Sequence, residues 1–412
     1  MAWMPPYPEN KITLFQRLVL VVGFLGMVLS LSFVYTRLRF FYGVDYHMFY
    51  TWQAAFLKTG IFFPKDTVFY NFPLTVVAFG PYGFLPMNLA VALKCIQTLA
   101  LGAFSLFLVE KIRPGLMKNN GMARFVVYLI SVTFVMTQLF YLNIYVEVVF
   151  CLLLSQYFLG REKLWLAAFF VSLALIFKVF LLPLILAPLI TRKYGFFWRI
   201  VTCLVLLCLL SLMIFGWHTH VDMVRAMSET YSKMRVHGIG YPVVSDGFAG
   251  WQDFFNKLVK VGLIRQTMVL PLTVTSGMLY VCLTVYVLFR MVFLSQSRLN
   301  NPDFYANVFA SLVILALGFN FRFDHGVLFL TAVGLFSSFD RGEQGRLTLV
   351  LFLLTLSGLL VDKILSGLGF QGISGVVSSV FCIISFQFIG INGLVFLVVS
   401  YWSRQERIPN QS

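Results

Sequence analysis

The apolar positions of this chain fall in about a dozen long runs separated by short polar stretches. The runs lie at about 16–35, 87–109, 124–141, 146–160, 164–177, 179–191, 198–217, 268–290, 303–319, 323–337, 346–364 and 376–400. Most approach the roughly 20 residues of helix that cross a bilayer's hydrocarbon. Within a run the apolar residues are continuous, whereas strands of a membrane barrel alternate at every second position. Helices and closed barrels alone satisfy every backbone hydrogen bond in lipid. The pattern therefore predicts an all-α polytopic membrane protein with about 12 transmembrane helices, built as one integral-membrane domain over residues 1–412.

Two features qualify this picture. The fifth and sixth runs form one apolar stretch with Lys178 near its middle, too long for one ordinary helix and short for two. Charge decides in favour of a split. With the N-terminus inside, the inner side receives Lys11, Arg17, Lys111, Arg113, Arg161, Lys163, Arg192, Lys193, Arg199, Arg290 and Arg404 among others. The short outer segments receive only Lys178, Arg322 and Lys363. This asymmetry follows the positive-inside rule, and it fails if the stretch is left whole. Both termini are then cytoplasmic. Two long segments remain on the outer face, one at about 38–86 and one from about 218 to 260–267. Both are rich in Tyr, Phe and Trp and are expected to be ordered, functional loops. The first holds an apolar piece, Leu74 to Leu85, able to dip into the membrane as a short helix.

Composition agrees with a lipid solvent. Of 412 residues, 59% are hydrophobic and 11% charged, against about 25% charged in soluble domains. The net charge of +15 is the expected signature of basic inner loops, and no compact basic domain is present to hold nucleic acid. Cys95, Cys151, Cys203, Cys208, Cys282 and Cys382 all lie in apolar runs with no CxxC pair, so they read as small core residues. The run from Leu18 to Val34 is too long for a cleaved signal and reads as a retained anchor. No low-complexity tract and no clear inverted repeat is visible.

The polar groups that remain collect on one side of this topology. Asp45 and His47 follow the first crossing, and Asp66, Tyr70 and Asn71 lie later in the same segment. Asn143 and Glu147 sit at the outer end of the third and fourth crossings, and Lys178 at the outer turn of the fifth and sixth. His218, His220, His237, Tyr241, Asp246 and Asp253 occupy the second long segment. Arg322, Asp324 and His325 lie at the outer turn of the ninth and tenth crossings. Ionisable residues near a bilayer are expensive and point to function. The His218-Thr219-His220 pair has no carboxylate at a spacing that completes a metal site, so no metal is expected.

The residues at the head of this arrangement resemble a known family. The stretch Asp45-Tyr46-His47 through Ala54-Ala55, then Gly60, Phe69-Tyr70-Asn71-Phe72-Pro73-Leu74, Pro81 and Leu85-Pro86, is similar to the opening of glycosyltransferase family 87. Tyr145-Val146-Glu147 stands where the family usually has Gly-Gln-Val-Asn or a variant. Ala174-Leu175-Ile176-Phe177-Lys178 resembles its alanine-rich helix ending in Lys-Pro, with Val179 in place of the proline. Arg322 to His325 resembles a late segment that often carries His. The resemblance implies a GT-C-like fold and transfer of a sugar, with mannose the usual one, from a polyprenyl-phosphate carrier, with inversion, on the outer face. No cofactor is expected. The partners it implies are the lipid-linked donor, a lipid or glycan acceptor and membrane lipids.

Residue chemistry is compatible with that expectation. An inverting transfer needs one base to take the acceptor hydroxyl proton, and a carboxylate suits it. Asp45 is the candidate base. The departing phosphate needs positive charge, for which Lys178, His325 and Arg322 are candidates. His47, Tyr70 and Glu147 complete the expected substrate-binding set, and Tyr46, Tyr70 and Trp251 are placed to stack on sugar rings. Two other readings stay open at this point. One is a transporter or flippase of lipid-linked sugar, which would place polar residues near the bilayer midplane. The other is a ligase or polymerase of envelope polysaccharide. A bacterial plasma membrane is the expected location.

Overall fold

A computed structural model of the chain describes residues 44–60, 73–75, 82–112, 138–139, 142–237, 255, 258–259, 262–298, 302–319 and 386–404. Among these residues the regular structure is helical and no strand occurs. The order is α1 (Val44–Thr59), a 3-10 turn (Tyr82–Phe84), α2 (Met87–Ile112), α3 (Tyr145–Leu159), α4 (Leu164–Phe177), a 3-10 segment (Val179–Ile185), α5 (Leu186–Ile190), α6 (Tyr194–His237), a 3-10 turn (Gln266–Met268), α7 (Val269–Arg298), α8 (Pro302–Phe319) and α9 (Phe386–Arg404). The expected crossings near 16–35, 323–337 and 346–364 lie outside the described residues, as does that near 124–141 apart from residues 138–139.

Three helical stretches, Met87–Ile112, Tyr194–Arg225 and Gln266–Leu294, are long and apolar enough to cross a membrane. Their surfaces show which solvent they meet. On α2 the buried positions include Ala90, Lys94, Thr98 and Ser105, while Leu89, Ile96, Leu99, Phe104 and Phe107 are exposed. Small and polar side chains face the protein and large apolar ones face outward. Water would penalise that inversion, and hydrocarbon does not. The protein is a helical membrane protein.

At the centre, α3 and α4 form an antiparallel hairpin, with α2 packed against α3 and α6 against α4. Small residues let the helices approach: Ala167, Ala168, Ser172 and Ala174 of α4 are buried. Ser155 donates to the Ala167 carbonyl at 2.8 Å and Ser172 to that of Ile200 at 3.1 Å. Residues Phe304 to Leu317 of α8 are almost wholly buried. This helix packs on the 3-10 segment, α5 and α9.

The long apolar stretch divides at Lys178. That residue is extended (φ −140°, ψ 91°) and ends α4. Its N–H donates to Ala174 and its carbonyl accepts from Leu181, each at 3.0 Å, so the break leaves neither group unpaired. Pro183 lies in the 3-10 segment that follows and has no N–H to give to a helical ladder. The chain then returns along the bundle. Arg199 stacks on Trp165 (5.6 Å) at the start of α4, so Lys178 lies at one end of the bundle and the beginning of α6 near the other.

That second end is basic. Arg161 and Lys163 lie in the α3–α4 turn, and Arg192 and Lys193 lie between α5 and α6. Lys193 also sits over the Tyr305 ring at 4.8 Å. Both turns close the same way. Glu162 (φ 60°) and Arg192 (φ 54°) adopt left-handed backbone. Lys163 then bonds back to the Phe158 carbonyl and Lys193 to that of Pro188, as in a Schellman helix end.

Both segments expected as long loops carry helix. Residues Val44–Thr59 form α1, and α6 continues past a break at Gly216 (φ 75°, ψ 161°) to His237. The reason is local. Tyr46, Phe49 and Trp52 of α1 recur at helical spacing and are fully buried. Past the break, His220 staples the kink, with Nδ1 2.8 Å from the Gly216 carbonyl and Nε2 2.9 Å from Ser211 Oγ.

Candidate functional site

The end of the bundle opposite the basic turns is where α1, the Tyr82–Phe84 turn, the beginnings of α2 and α3, and Lys178 meet. The turn packs closely on α1. A side chain at Gly83 would place its Cβ 2.5 Å from Gln53 Cβ and 2.8 Å from the Ala54 nitrogen, so only glycine permits this approach. Tyr50 ties the contact by donating to the Leu85 carbonyl at 2.6 Å. Asp45 and His47 are placed by their backbone on the first turn of α1, on either side of the buried Tyr46. The Tyr46 and Tyr50 rings lie 6.4 Å apart.

Beneath this turn runs a polar network inside the bundle. Lys94 of α2 pairs with Glu147 Oε1 of α3, their side chains 0% and 6% exposed. Such a pair is dry, and a buried charge survives only when paired. Gln97 Nε2 donates to the same carboxylate oxygen at 3.0 Å. The Tyr82 hydroxyl donates to Gln97 Oε1 at 2.7 Å. Glu147 Oε2 is buried with no hydrogen-bond partner among the described residues. Burial, and then the charge of Glu147, pushes the Tyr82 hydroxyl above its usual range, and burial does the same to Tyr46. Both hydroxyls remain protonated, and that of Tyr82 is the donor to Gln97.

Two residues before Glu147, the Tyr145 ring carries the ammonium of Lys178 at 4.2 Å. Leu142, just ahead of α3, is buried in left-handed backbone (φ 49°). That conformation is costly for a bulky residue, and such strain concentrates at functional sites. Asn143 caps the following amide, its Oδ1 accepting from Ile144 N–H at 2.7 Å.

The structure thus places Glu147 and Lys178 at the same end of the bundle as the helix turn bearing Asp45 and His47. Tyr70, Arg322 and His325 lie outside the described residues, as do Asp66, Asn71, Tyr241, Asp246, Trp251, Asp253 and Asp324. Lys94, Gln97 and Tyr82 were not anticipated from the sequence. The signal for Lys94 was available, since it is a lone cation within the apolar run 87–109.

The model of glycosyltransferase family 87 matches residues 69–318. The chain belongs to glycosyltransferase family 87. It is a membrane glycosyltransferase, and its substrates are a sugar donor and an acceptor. No curated protein and no solved structure matches it. Within the family match lie Tyr70, Glu147, Lys178 and the newly found Tyr82, Lys94 and Gln97. Asp45 and His47 precede it, and Arg322 and His325 follow it.

Proposed function

We propose that this glycosyltransferase moves a sugar, mannose, from a polyprenyl-phosphate carrier to a lipid or glycan acceptor on the outer face of a bacterial plasma membrane, with inversion. The observation that carries the reading is Lys178. A helix break inside an apolar stretch holds its ammonium on Tyr145, at the end of the bundle where the Asp45 turn lies. A lipid-linked phosphate approaching along the membrane would meet a cation there.

In this reading the Asp45 carboxylate takes the proton of an acceptor hydroxyl as that oxygen attacks the anomeric carbon. The new C–O bond forms as the bond to phosphate oxygen breaks, and the carrier leaves as its phosphate. Lys178, with Arg322, His325 and His47, neutralises the growing charge. Tyr70 stacks on the sugar. Glu147 is committed to Lys94, and a second anion beside a phosphate would repel it. Its part on the substrate side is therefore to hold the network under the Tyr82 turn. The basic far end, with Arg161, Lys163, Arg192 and Lys193, supports a cytoplasmic assignment for that end.

The test is transfer of labelled mannose from polyprenyl-phosphate-mannose by purified protein in nanodiscs containing host lipids. Wild type transfers and Asp45→Asn does not, with an unchanged unfolding midpoint. Equal transfer by both removes Asp45 from its role. Failure of both, with host lipids present, refutes the mannosyl donor.

A further inference from the structure

The buried network has a direction, and the direction identifies what it does. A carboxylate only accepts, so Lys94 and the Gln97 amide both donate to Glu147 Oε1. With its nitrogen committed, Gln97 must present Oε1 to Tyr82, and Tyr82 must donate. The charge on Glu147 is thereby converted into the orientation of Gln97, and that orientation into an acceptor for one hydroxyl. The hydroxyl belongs to the turn on which α1 rests, held by the bare Gly83 backbone against Gln53 and Ala54 and by Tyr50 on Leu85. Elements far apart in sequence are joined: Lys94 and Glu147 are 53 residues apart, and Tyr50 and Leu85 are 35.

We infer that Lys94, Glu147, Gln97 and Tyr82 form a positioning relay that fixes helix α1, and with it Asp45, against the α2–α3 pair. The four are positioning residues, since they act on the reacting group through the turn. The inference rests on the reading of Asp45 as the base, and it extends that reading to residues the reaction itself would not reveal. An apolar core could join α2 to α3 without burying a charge. A lysine, a carboxylate, an amide and a hydroxyl in series favour one geometry, because the carboxylate accepts from both the ammonium and the amide and so turns the amide oxygen toward the hydroxyl.

The test uses Tyr82→Phe and Gln97→Leu in the full chain, with Asp45→Asn alongside. Tyr82→Phe removes one hydroxyl and keeps the ring, so the ion pair and the Tyr50 bond stay. Two readouts are taken. The first is hydrogen exchange of the backbone amides of residues 44–60, with residues 164–177 as the internal control. The relay predicts exchange of the α1 amides several-fold faster in both variants, with the control unchanged. The second is kinetics. The relay predicts about a tenfold fall in kcat, a donor KM within twofold of wild type, and a double variant no worse than the poorer single one.

Unchanged α1 exchange overturns the relay whatever the activities are. Faster exchange with wild-type kcat, while Asp45→Asn is inactive, also overturns it, since α1 then needs no fixing for turnover. Wild-type transfer by Asp45→Asn overturns the base reading and the link to Asp45. The exchange result then reports separately whether the network holds α1.

Discussion

The ammonium of Lys178 lies 4.2 Å from the centre of the Tyr145 ring, across the open end of the α3–α4 hairpin. Lys178 has left helical backbone, and its side chain is steadied by the ring face, a contact contributing about 0.5–2 kcal/mol. Tyr145→Leu removes the face and leaves the cation. The expected result is a rise of about three- to tenfold in KM for the lipid-linked donor with a smaller change in kcat. Lys178→Met lowers kcat/KM by about a hundredfold, because it removes the cation that the helix break holds at the bundle end, which Arg322, His325 and His47 do not replace. Steady-state transfer kinetics across donor concentration check both. Equal KM for wild type and Tyr145→Leu would deny the ring its part.

The Lys94–Glu147 pair makes a prediction about stability. Removing one partner of a buried pair strands the other, at a cost of about 3–5 kcal/mol. Lys94→Met should therefore unfold far more readily, the more so because Glu147 Oε2 already lacks a hydrogen-bond partner among the described residues. Replacing both, as in Lys94→Met with Glu147→Leu, should recover most of the lost stability without restoring full activity. Thermal unfolding in detergent, read beside transfer rate, separates the two effects. A double variant no more stable than Lys94→Met would show that the pair's charges are not what strands the single variant.

These residues also show how much was legible beforehand. The α3–α4 hairpin and the break at Lys178 could be read because charges interrupt the apolar runs on both sides of them. The opposite case is Lys94, a single cation whose partner is 53 residues away. Nothing local to the run distinguishes a paired interior lysine from one reaching a headgroup. Helix α1 was hidden for a different reason. Tyr46, Phe49 and Trp52 follow helical spacing, yet aromatics beside Asp45 and His47 read equally well as an interfacial loop. The continuation of α6 beyond Gly216 was masked by the drop in apolar content at His218, which ends a crossing without ending a helix. Asp45 itself was singled out by its position in a motif, a signal that no packing argument supplies.

The two helix ends at the basic pole offer a simple gain. Glu162 and Arg192 occupy left-handed backbone, φ 60° and 54°, at the position where glycine is usual. A residue with a Cβ is strained there by roughly 1–2 kcal/mol, partly offset by the greater freedom glycine brings to the unfolded chain. Glu162→Gly and Arg192→Gly are each expected to stabilise by about 0.5–1 kcal/mol and to leave transfer unchanged, since both lie far from Lys178. Unfolding midpoints check this. A fall in midpoint for Glu162→Gly would mean its side chain outweighs the strain.

Lys193 makes stability depend on pH. Lys193 is exposed, but partial desolvation lowers the pKa of its ammonium below the ordinary lysine value of 10.5. Below the lowered value both folded and unfolded chains hold the proton, and the fold bears the cost of that partial desolvation. As pH rises through that value the folded chain releases the proton first. The cost falls away and is gone near the unfolded value, so this group's contribution to stability rises with pH in the window just below 10.5. Lys193→Met removes the titration while keeping an apolar stem against Tyr305. The difference in unfolding midpoint between variant and wild type should shrink from pH 7.5 to pH 10, with the variant the more stable at the lower pH. A difference that does not change across that range would mean the ammonium reaches water at the membrane surface and bears no burial cost.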